Sequence, residues 1–349
     1  MTSWIFDPVK ALDEVAEQDA RARQAQLTKP LGSLGRLEET AISLAAMQGA
    51  APDVGKPFIC VFAGDHGIAA TGVSAFPQEV TAQMVANFAR GGAAISVLAK
   101  SISARFKIIN LGTLYPTDFA AVQNENIGSG TANMLEGSAM TQQQCAQSLA
   151  VGRESLINGQ LQGANLFIGG EMGIGNTTAA TALASAISGL SVASLTGPGT
   201  GLDAAGVDKK IDIIKQVLAK HMSKETDTLQ LLQRMGGFEI AALVGSYVSA
   251  AQQGVAVLVD GFICTAAAMV AVALNPSCRQ WMIFAHSSAE PGHQLMLNYL
   301  NATPLLNLGM RLGEGSGAAL CAPLLQHACN LHNHMATFAE AQVAGKIDE

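Results

Sequence analysis

One carboxylate in this sequence lies between glycines, in a setting that suits chemistry. Residues 313–317 read Gly-Glu-Gly-Ser-Gly and place Glu314 on backbone that can approach a ligand closely, because glycine has no side chain to obstruct it. Two other glycine-rich segments, residues 170–178 and 196–203, each close an apolar run, and the first contains Glu171. Carboxylates next to glycine-rich strand ends predict an enzyme that holds a phosphorylated sugar and moves a proton beside it.

Residues 173–178 have the physical properties of a phosphate cradle. Glycines let backbone N–H groups converge, and Asn176, Thr177 and Thr178 can cap the Ala-rich helix predicted to follow, whose N-terminus attracts an anion. A plain glycine-rich turn with an N-cap explains the segment about as well. Lys210 follows the second segment closely enough to add a cation, although an ordinary surface lysine is the default interpretation without that loop.

Common nucleotide-binding motifs are missing from the sequence. It contains no G-x-x-x-x-G-K-[ST] motif, and no G-x-G-x-x-G motif follows a predicted strand. Gly199, Thr200 and Gly201 come nearest, but Ala204 stands at the third glycine position, which makes this a weak variant. ATPase and dinucleotide-binding functions are therefore disfavoured.

Composition and charge limit the classes of function further. The chain has 349 residues and a net charge of −7 from 20 basic and 27 acidic residues, with no basic stripe, so nucleic acid is not an expected partner. Mild acidity fits a cytoplasmic enzyme, and residues 1–10 lack the pattern of a signal peptide. Residues 254–274 are apolar enough to suggest a membrane span. However, Asp260 and Gly261 split them into a strand, a turn and a helix, so no membrane association is expected.

Neither the cysteines nor the histidines predict a metal centre. None of the six cysteines forms a C-x-x-C pair, and their apolar surroundings favour buried, reduced thiols. His327, His332 and His334 match no zinc-binding spacing and are better explained as a solvated helical face.

Short apolar runs alternate with helical patterns along most of the chain. The runs predict strands at residues 58–63, 106–111, 166–168, 192–195, 255–259 and 282–285. Amphipathic or Ala-rich stretches predict helices at residues 13–25, 37–47, 77–90, 178–187, 204–220 and 240–251. The alternation predicts an α/β fold with a doubly wound, mostly parallel sheet. We expect a large α/β domain at residues 56–290, and a smaller helical domain formed by residues 1–55 together with residues 291–349.

Polar residues follow five of the predicted strands, where ligands bind in such sheets. Asp65 and His66 follow the first strand and could form an acid–base pair, although a structural or substrate-positioning role is favoured. His286 and Glu290 follow the last strand and could line a site, although a scaffold role is favoured.

The motifs together resemble one family. They occupy residues 29–35, 65–67, 130–134, 170–178, 199–203, 286–293 and 311–317, so the match runs in order from about residue 29 to the end of the glutamate loop and spans most of the chain. In this combination they strongly resemble the nicotinate-nucleotide:dimethylbenzimidazole phosphoribosyltransferases. The resemblance implies a Rossmann-like large domain, a small helical domain, a homodimer and no metal or other cofactor. It also implies transfer of ribose 5-phosphate from nicotinate mononucleotide to 5,6-dimethylbenzimidazole, with inversion at the anomeric carbon.

The resemblance also implies roles for particular residues. Glu314 matches the general base, and Glu171 matches a second carboxylate that could bind ribose hydroxyls or stabilise positive charge at the anomeric carbon. The predicted ligands of the phosphate and ribose are Gly173, Gly175, Asn176, Thr177, Thr178, Gly199, Thr200, Gly201 and Lys210. Phe76, Met84 and Leu312 are candidate walls of the benzimidazole pocket, or else ordinary core. Ser74 and Gln83 lie in the stretch where the family holds that base.

Two other functions remain open at this point. A sugar-phosphate isomerase or nucleotide hydrolase would use Glu314 to move a proton on the sugar or to activate water. A non-catalytic nucleotide or benzimidazole sensor would bind without turnover, and would have no need of a base at Glu314.

Overall fold

A six-stranded parallel sheet forms the centre of the protein. The computed structural model describes residues 2–344. Its strands are β1 (Pro57–Gly64), β2 (Arg105–Gly112), β3 (Val122–Asn124), β4 (Leu166–Met172), β5 (Ala256–Val259) and β6 (Met282–Phe284). The spatial order is β3-β2-β1-β4-β5-β6, and every neighbouring pair is parallel. Both β1 and β5 are buried along their whole length, so helices or loops cover both faces of the sheet there.

Helices connect the strands and pack on the sheet. They are α1 (Glu14–Gln26), α2 (Arg36–Gln48), α3 (Glu79–Arg90), α4 (Ala94–Ser101), α5 (Gln142–Leu161), α6 (Asn176–Ser188), α7 (Val192–Leu195), α8 (Ala204–His221), α9 (Thr228–Met235), α10 (Phe238–Gln253), α11 (Phe262–Leu274), α12 (His293–Tyr299), α13 (Ser316–His334) and α14 (Phe338–Ala341). Short 3₁₀ helices span Ser3–Phe6, Gly67–Thr71 and Pro276–Trp281.

The strand order confirms the predicted doubly wound α/β fold. After β1 the chain builds outward through β2 and β3, and it then returns to place β4 on the other side of β1. The order therefore reverses between β1 and β4. In sheets of this type the reversal opens a crevice beyond the carboxyl ends of the strands, where ligands bind.

Two strand predictions differ from the structure. Residues 192–195 form the short helix α7, because Ser191 caps it by accepting a hydrogen bond at its side-chain oxygen from the Ser194 N–H, 3.2 Å away. An apolar run of four residues is too short for periodicity to separate a strand from a helical turn. β3 was not predicted, since this three-residue edge strand has one buried residue, Val122, followed by exposed polar residues.

The apolar segment at residues 254–274 has the predicted strand–turn–helix form. It contains β5, a turn at Asp260 and Gly261, and α11. Across the described residues, 2–344, we find no helix with the length and apolar character that spanning a bilayer requires.

The first and last long helices pack together. α2 contacts both α1 and α13, and the Arg23 guanidinium donates hydrogen bonds to the carbonyl oxygens of His332, Asn333 and Met335. α13 also contacts β4 and β5. The division into a domain at residues 56–290 and a second at residues 1–55 with 291–349 stays a prediction. Met1 and residues 345–349 of the second domain lie outside the described residues.

Candidate active site

A cavity of about 650 Å³ lies at the carboxyl ends of β4, β5 and β6. Its lining includes ten of the residues predicted from sequence. They are Glu314, Glu171, Gly173, Asn176, Thr177, Gly199, Thr200, Phe76, Met84 and Leu312. Their positions span more than two hundred residues of sequence, so the fold brings together segments that the motifs only suggested were related.

The backbone around Glu314 has an unusual conformation. Gly313, Glu314 and Gly315 have φ angles of +86°, +65° and +85°, so three consecutive residues are left-handed. A non-glycine residue in this region costs of order 1–3 kcal/mol, and such strain persists only where the surroundings fix it. Here the Glu314 carbonyl packs against Gly170, where an added Cβ would lie 2.1 Å from the carbonyl oxygen. The loop therefore holds a carboxylate at a place where folding alone would favour glycine.

Two weak hydrogen bonds orient Glu314 within the cavity. Its backbone N–H donates to Glu171 Oε1 at 3.4 Å, and its Oε2 accepts from the Ile95 N–H at the start of α4 at 3.5 Å. The residue is 5% exposed. Burial raises the pKa of Glu314, assisted by the negative charge of Asp260 and opposed by the Ile95 N–H. A raised pKa makes the carboxylate a stronger base.

Glu171, at the end of β4, lies beside Glu314. Burial raises its pKa to about 8, and the nearby carboxylates of Glu239 and Asp260 add to the increase. Glu171 Oε2 accepts a hydrogen bond from the Asn176 side-chain amide. The two carboxyl groups of the site thus occupy one buried, acidic environment.

The start of α6 differs in detail from the sequence prediction. Its N-cap is Gly175, with φ of +99°, and no side chain caps the helix. The predicted capping role of Asn176, Thr177 and Thr178 is therefore wrong. Asn176 binds Glu171, whereas Thr177 Oγ1 accepts a hydrogen bond from Lys210 Nζ at 2.7 Å.

Lys210 is buried beneath the glycine-rich loop at residues 197–201. It is 1% exposed, so the alternative interpretation as a surface lysine is wrong. Its Nζ would lie 3.3 Å from a Cβ added at Gly199. Burial lowers the pKa of Lys210 to about 8, opposed by the carboxylate of Glu290. The ammonium group is still mostly protonated at neutral pH, and it provides a cation at this end of the cavity.

Apolar side chains form another part of the cavity lining. Phe76 is 53% exposed and Leu312 is 58% exposed, so neither is the ordinary core residue of the alternative interpretation. Met84 is half-buried and packs against the core while it lines the cavity. Apolar side chains of this kind suit an aromatic ligand.

Six of the predicted site residues do not line the cavity. Lys210 contacts the lining residue Thr177, to which its Nζ donates a hydrogen bond. Ser74 Oγ lies 3.0 Å from Thr200 Oγ1, and Gln83 is exposed beside Met84. Gly175 precedes α6, Thr178 is buried within it, and Gly201 has φ of +114° with open space around it. The roles predicted for these residues stay predictions.

Sequence reasoning missed or undervalued four acidic or basic residues of the lining. Asp260 follows β5, and its Oδ1 accepts a hydrogen bond from the Ala318 N–H in α13. His286 and Glu290, for which a scaffold role was favoured, both line the cavity. Arg311 lines it too, and its place beside the glutamate loop was the available signal. A polar residue directly after a parallel strand was the corresponding signal for Asp260.

Asp65 and His66 do not line the cavity. His66 Nε2 is 2.6 Å from Glu239 Oε1, and both side chains are buried. The His66 ring also packs under Gly173, where an added Cβ would lie 3.3 Å from Cδ2. These contacts favour the positioning role over an acid–base pair in contact with a ligand.

All six cysteines are buried and free, which confirms the prediction from sequence. Among residues 2–344, no three His, Cys, Asp or Glu side chains are grouped as a metal site would require.

Comparisons with known proteins agree with the motifs. A family model described as a phosphoribosyltransferase matches residues 9–343. A nicotinate-nucleotide–dimethylbenzimidazole phosphoribosyltransferase from Pseudomonas fluorescens is 56% identical over 346 residues, covering 99% of each chain. The protein of that name from Azotobacter vinelandii is 56% identical over 344 residues, covering 98% of each chain.

A solved structure is similar over nearly its whole length. The crystal structure of the enzyme of that name from Thermus thermophilus matches with a TM-score of 0.91 and 40% identity, over 96% of this chain and 100% of the other. A family match over this span, with relatives of this identity, shows that the chain belongs to the nicotinate-nucleotide–dimethylbenzimidazole phosphoribosyltransferase family.

Proposed function

We propose that this phosphoribosyltransferase moves the ribose 5-phosphate of nicotinate mononucleotide onto 5,6-dimethylbenzimidazole. The products are α-ribazole 5′-phosphate, the nucleotide of the cobalamin lower ligand, and nicotinate. The observation that carries the proposal is the position of Glu314, a buried carboxylate of raised pKa. It lies in one cavity with apolar side chains and with a glycine-rich loop that has the Lys210 ammonium group beneath it.

Glu314 is the general base of this reaction. One nitrogen of the benzimidazole attacks the anomeric carbon while the other nitrogen loses its proton to the carboxylate. Accepting the hydrogen bond of that N–H raises the nucleophilicity of the attacking nitrogen. Phe76 and Leu312 would hold the ring in the plane that points its N–H toward Glu314, since all three residues line the same cavity.

The leaving group needs no acid. Nicotinate mononucleotide carries a pyridinium nitrogen, and the C–N bond pair leaves with that nitrogen, which departs neutral. Attack from the face opposite the leaving group then inverts the anomeric carbon. Holding the nicotinate and benzimidazole rings in line on opposite sides of the anomeric carbon accelerates the reaction through orientation alone.

Glu171 is best suited to binding a ribose hydroxyl. Burial raises the pKa of Glu171 to about 8, which favours the protonated form of its carboxyl group. A protonated carboxyl donates a hydrogen bond to a hydroxyl, whereas stabilisation of a cationic anomeric carbon needs the ionised form. Of the two roles left open by the sequence, burial therefore favours the first.

The assembly and the location of the enzyme follow from the family resemblance. We infer a homodimer that works in the cytoplasm. Light scattering on the purified protein measures the first property directly, and a monomer of 36.0 kDa would contradict it.

Chromatography of the reaction products tests the function. Purified enzyme with nicotinate mononucleotide and 5,6-dimethylbenzimidazole is expected to give an α-ribazole phosphate peak that needs both substrates. Nicotinate release without the benzimidazole would instead indicate a hydrolase. Ligand binding without turnover of either substrate would indicate a sensor.

Lys210→Ala is expected to raise the KM for nicotinate mononucleotide about tenfold, because a hydrogen bond from a cation to phosphate contributes roughly 1.5 kcal/mol. Initial rates at varied nucleotide concentration measure the change. Lys209→Ala is the matched control, since Lys209 is the exposed neighbour on the same helix. An unchanged KM in the Lys210 variant would place the phosphate elsewhere.

A further inference from the structure

Arg311 joins the two loops that would hold the opposite ends of the reaction. Its Nη1 donates a hydrogen bond to the Gly199 carbonyl at 3.1 Å, across 112 positions of sequence. Gly199 lies in the loop above Lys210, and Arg311 precedes Glu314 by three residues. The side chain is exposed and lines the cavity, so it is accessible to a substrate.

The charges around Arg311 place it at the anion-binding end of the cavity. The cations Lys210 and Arg311 both lower the pKa of the Glu290 carboxyl, which burial otherwise raises. Two cations and one carboxylate leave a net positive charge beside Gly199. A phosphate dianion bound at that loop would therefore interact with the Arg311 guanidinium as well as with Lys210.

The Glu314 loop packs on Gly170, and a contact from outside the loop can add to that support. Residues 313–315 are all left-handed, and the hydrogen bonds of Glu314 itself are long, at 3.4 and 3.5 Å. Bonds of these lengths are at the weak limit of normal geometry. The Arg311 bond, at 3.1 Å, is better formed, and it connects the glutamate loop to the glycine-rich loop.

We propose that Arg311 is a positioning residue that converts binding of the substrate's 5′-phosphate into correct placement of Glu314. The inference rests on the proposed function, in which that phosphate occupies the Gly199 loop. Phosphate on the loop fixes the guanidinium from its free side, the guanidinium fixes residues 311–313, and Glu314 is thereby aligned with the benzimidazole N–H. Binding energy from a part of the substrate that does not react is in this way used at the reacting centre.

Dividing the substrate into two pieces tests this coupling. Nicotinate riboside, which lacks the phosphate, is offered with 5,6-dimethylbenzimidazole in the presence and absence of phosphite dianion. In the unmodified enzyme, phosphite is expected to raise riboside turnover about tenfold or more, because it restores the missing contact without a covalent link. In Arg311→Ala the stimulation is expected to disappear, where the stimulation of each protein is the ratio of its riboside turnover with phosphite to its own turnover without phosphite.

Kinetics with the whole nucleotide give an independent readout. Coupling predicts that Arg311→Ala lowers kcat about tenfold or more, since the base is misplaced when substrate is bound. Arg311→Lys keeps the charge and can still donate to the Gly199 carbonyl, so it is expected to recover part of the kcat. Circular dichroism and the melting temperature establish whether each variant is folded. If Arg311→Ala is unfolded, the kinetic test is made with Arg311→Lys alone.

Several results would overturn the inference. A raised KM with unchanged kcat in Arg311→Ala would make Arg311 a simple phosphate ligand. Equal phosphite stimulation in both proteins, or none in the unmodified enzyme, would remove the coupling. Failure of the proposed function is separate and visible, because the unmodified enzyme would then form no α-ribazole phosphate from the intact nucleotide.

Discussion

Glu314→Gln is expected to lower kcat by roughly 10²–10⁴-fold, the usual contribution of a positioned general base. Glutamine has nearly the same shape and can still accept a hydrogen bond from the benzimidazole N–H, but it cannot take the proton. The fold is expected to be unaffected, because the Glu314 backbone contacts to Glu171 and Gly170 remain. Steady-state kinetics with saturating nucleotide and base measure the change, and Glu154→Gln on the exposed surface of α5 is the control.

The pH profile gives a second check on the same residue. A general base works in its deprotonated form, so kcat falls as the pH decreases through the pKa of the base. Because burial raises the pKa of Glu314, this loss is expected above the pH at which an exposed glutamate titrates. The acid limb is expected to vanish from the residual activity of Glu314→Gln. Full activity in that variant, or an unchanged acid limb, would remove Glu314 from the role of base.

Gly170→Ala is expected to lower kcat about 100-fold without contacting any substrate, since a displacement of about 1 Å at a reacting group costs that much. The added Cβ would lie 2.1 Å from the Glu314 carbonyl oxygen and 3.0 Å from Val61 Cγ2, so residues 313–315 must shift away from β4. The same kinetic assay measures the loss, and thermal unfolding shows how much of it is due to lower stability.

Gly137→Ala is the matched control for this substitution, because an added Cβ there meets nothing within 4 Å. Its activity is expected to equal that of the unmodified enzyme. If Gly170→Ala kept a normal kcat, the left-handed loop would be adaptable, and the close packing on β4 would not determine the position of the base.

The sequence was informative where a residue's neighbours in the chain determine its environment. β1, β2 and β4 are apolar runs followed by glycine or polar residues, so their strand character and the direction of the site could be predicted. Glu314 could be singled out because its own flanking glycines create its conformation. The short α7 was predicted as a strand because four apolar residues are too few to show a helical or strand periodicity. The side-chain cap at Ser191 favours the helical turn.

Properties that depend on distant segments could not be predicted in the same way. The burial of Lys210 arises from packing against Thr177 and the Gly199 loop, which a helical pattern on α8 does not reveal. The raised pKa of Glu171 is due first to burial and then to the charges of Glu239 and Asp260, which come from α10 and the end of β5. Glu290 and Arg311 acquire their place in the site through charges and hydrogen bonds across the cavity.

The left-handed backbone at Glu314 means that the residue we propose as the general base lowers the stability of the folded protein. At this position an L side chain carries the cost of order 1–3 kcal/mol that accompanies a left-handed backbone, a cost that glycine does not carry. The side chain is also a buried carboxyl group in an acidic environment. A selection for thermal stability alone would therefore favour glycine at position 314, and the resulting protein would lack the general base that we propose. Only a selection that includes turnover would keep glutamate at this position, so stability screens on this enzyme must exclude residue 314 from the positions they vary.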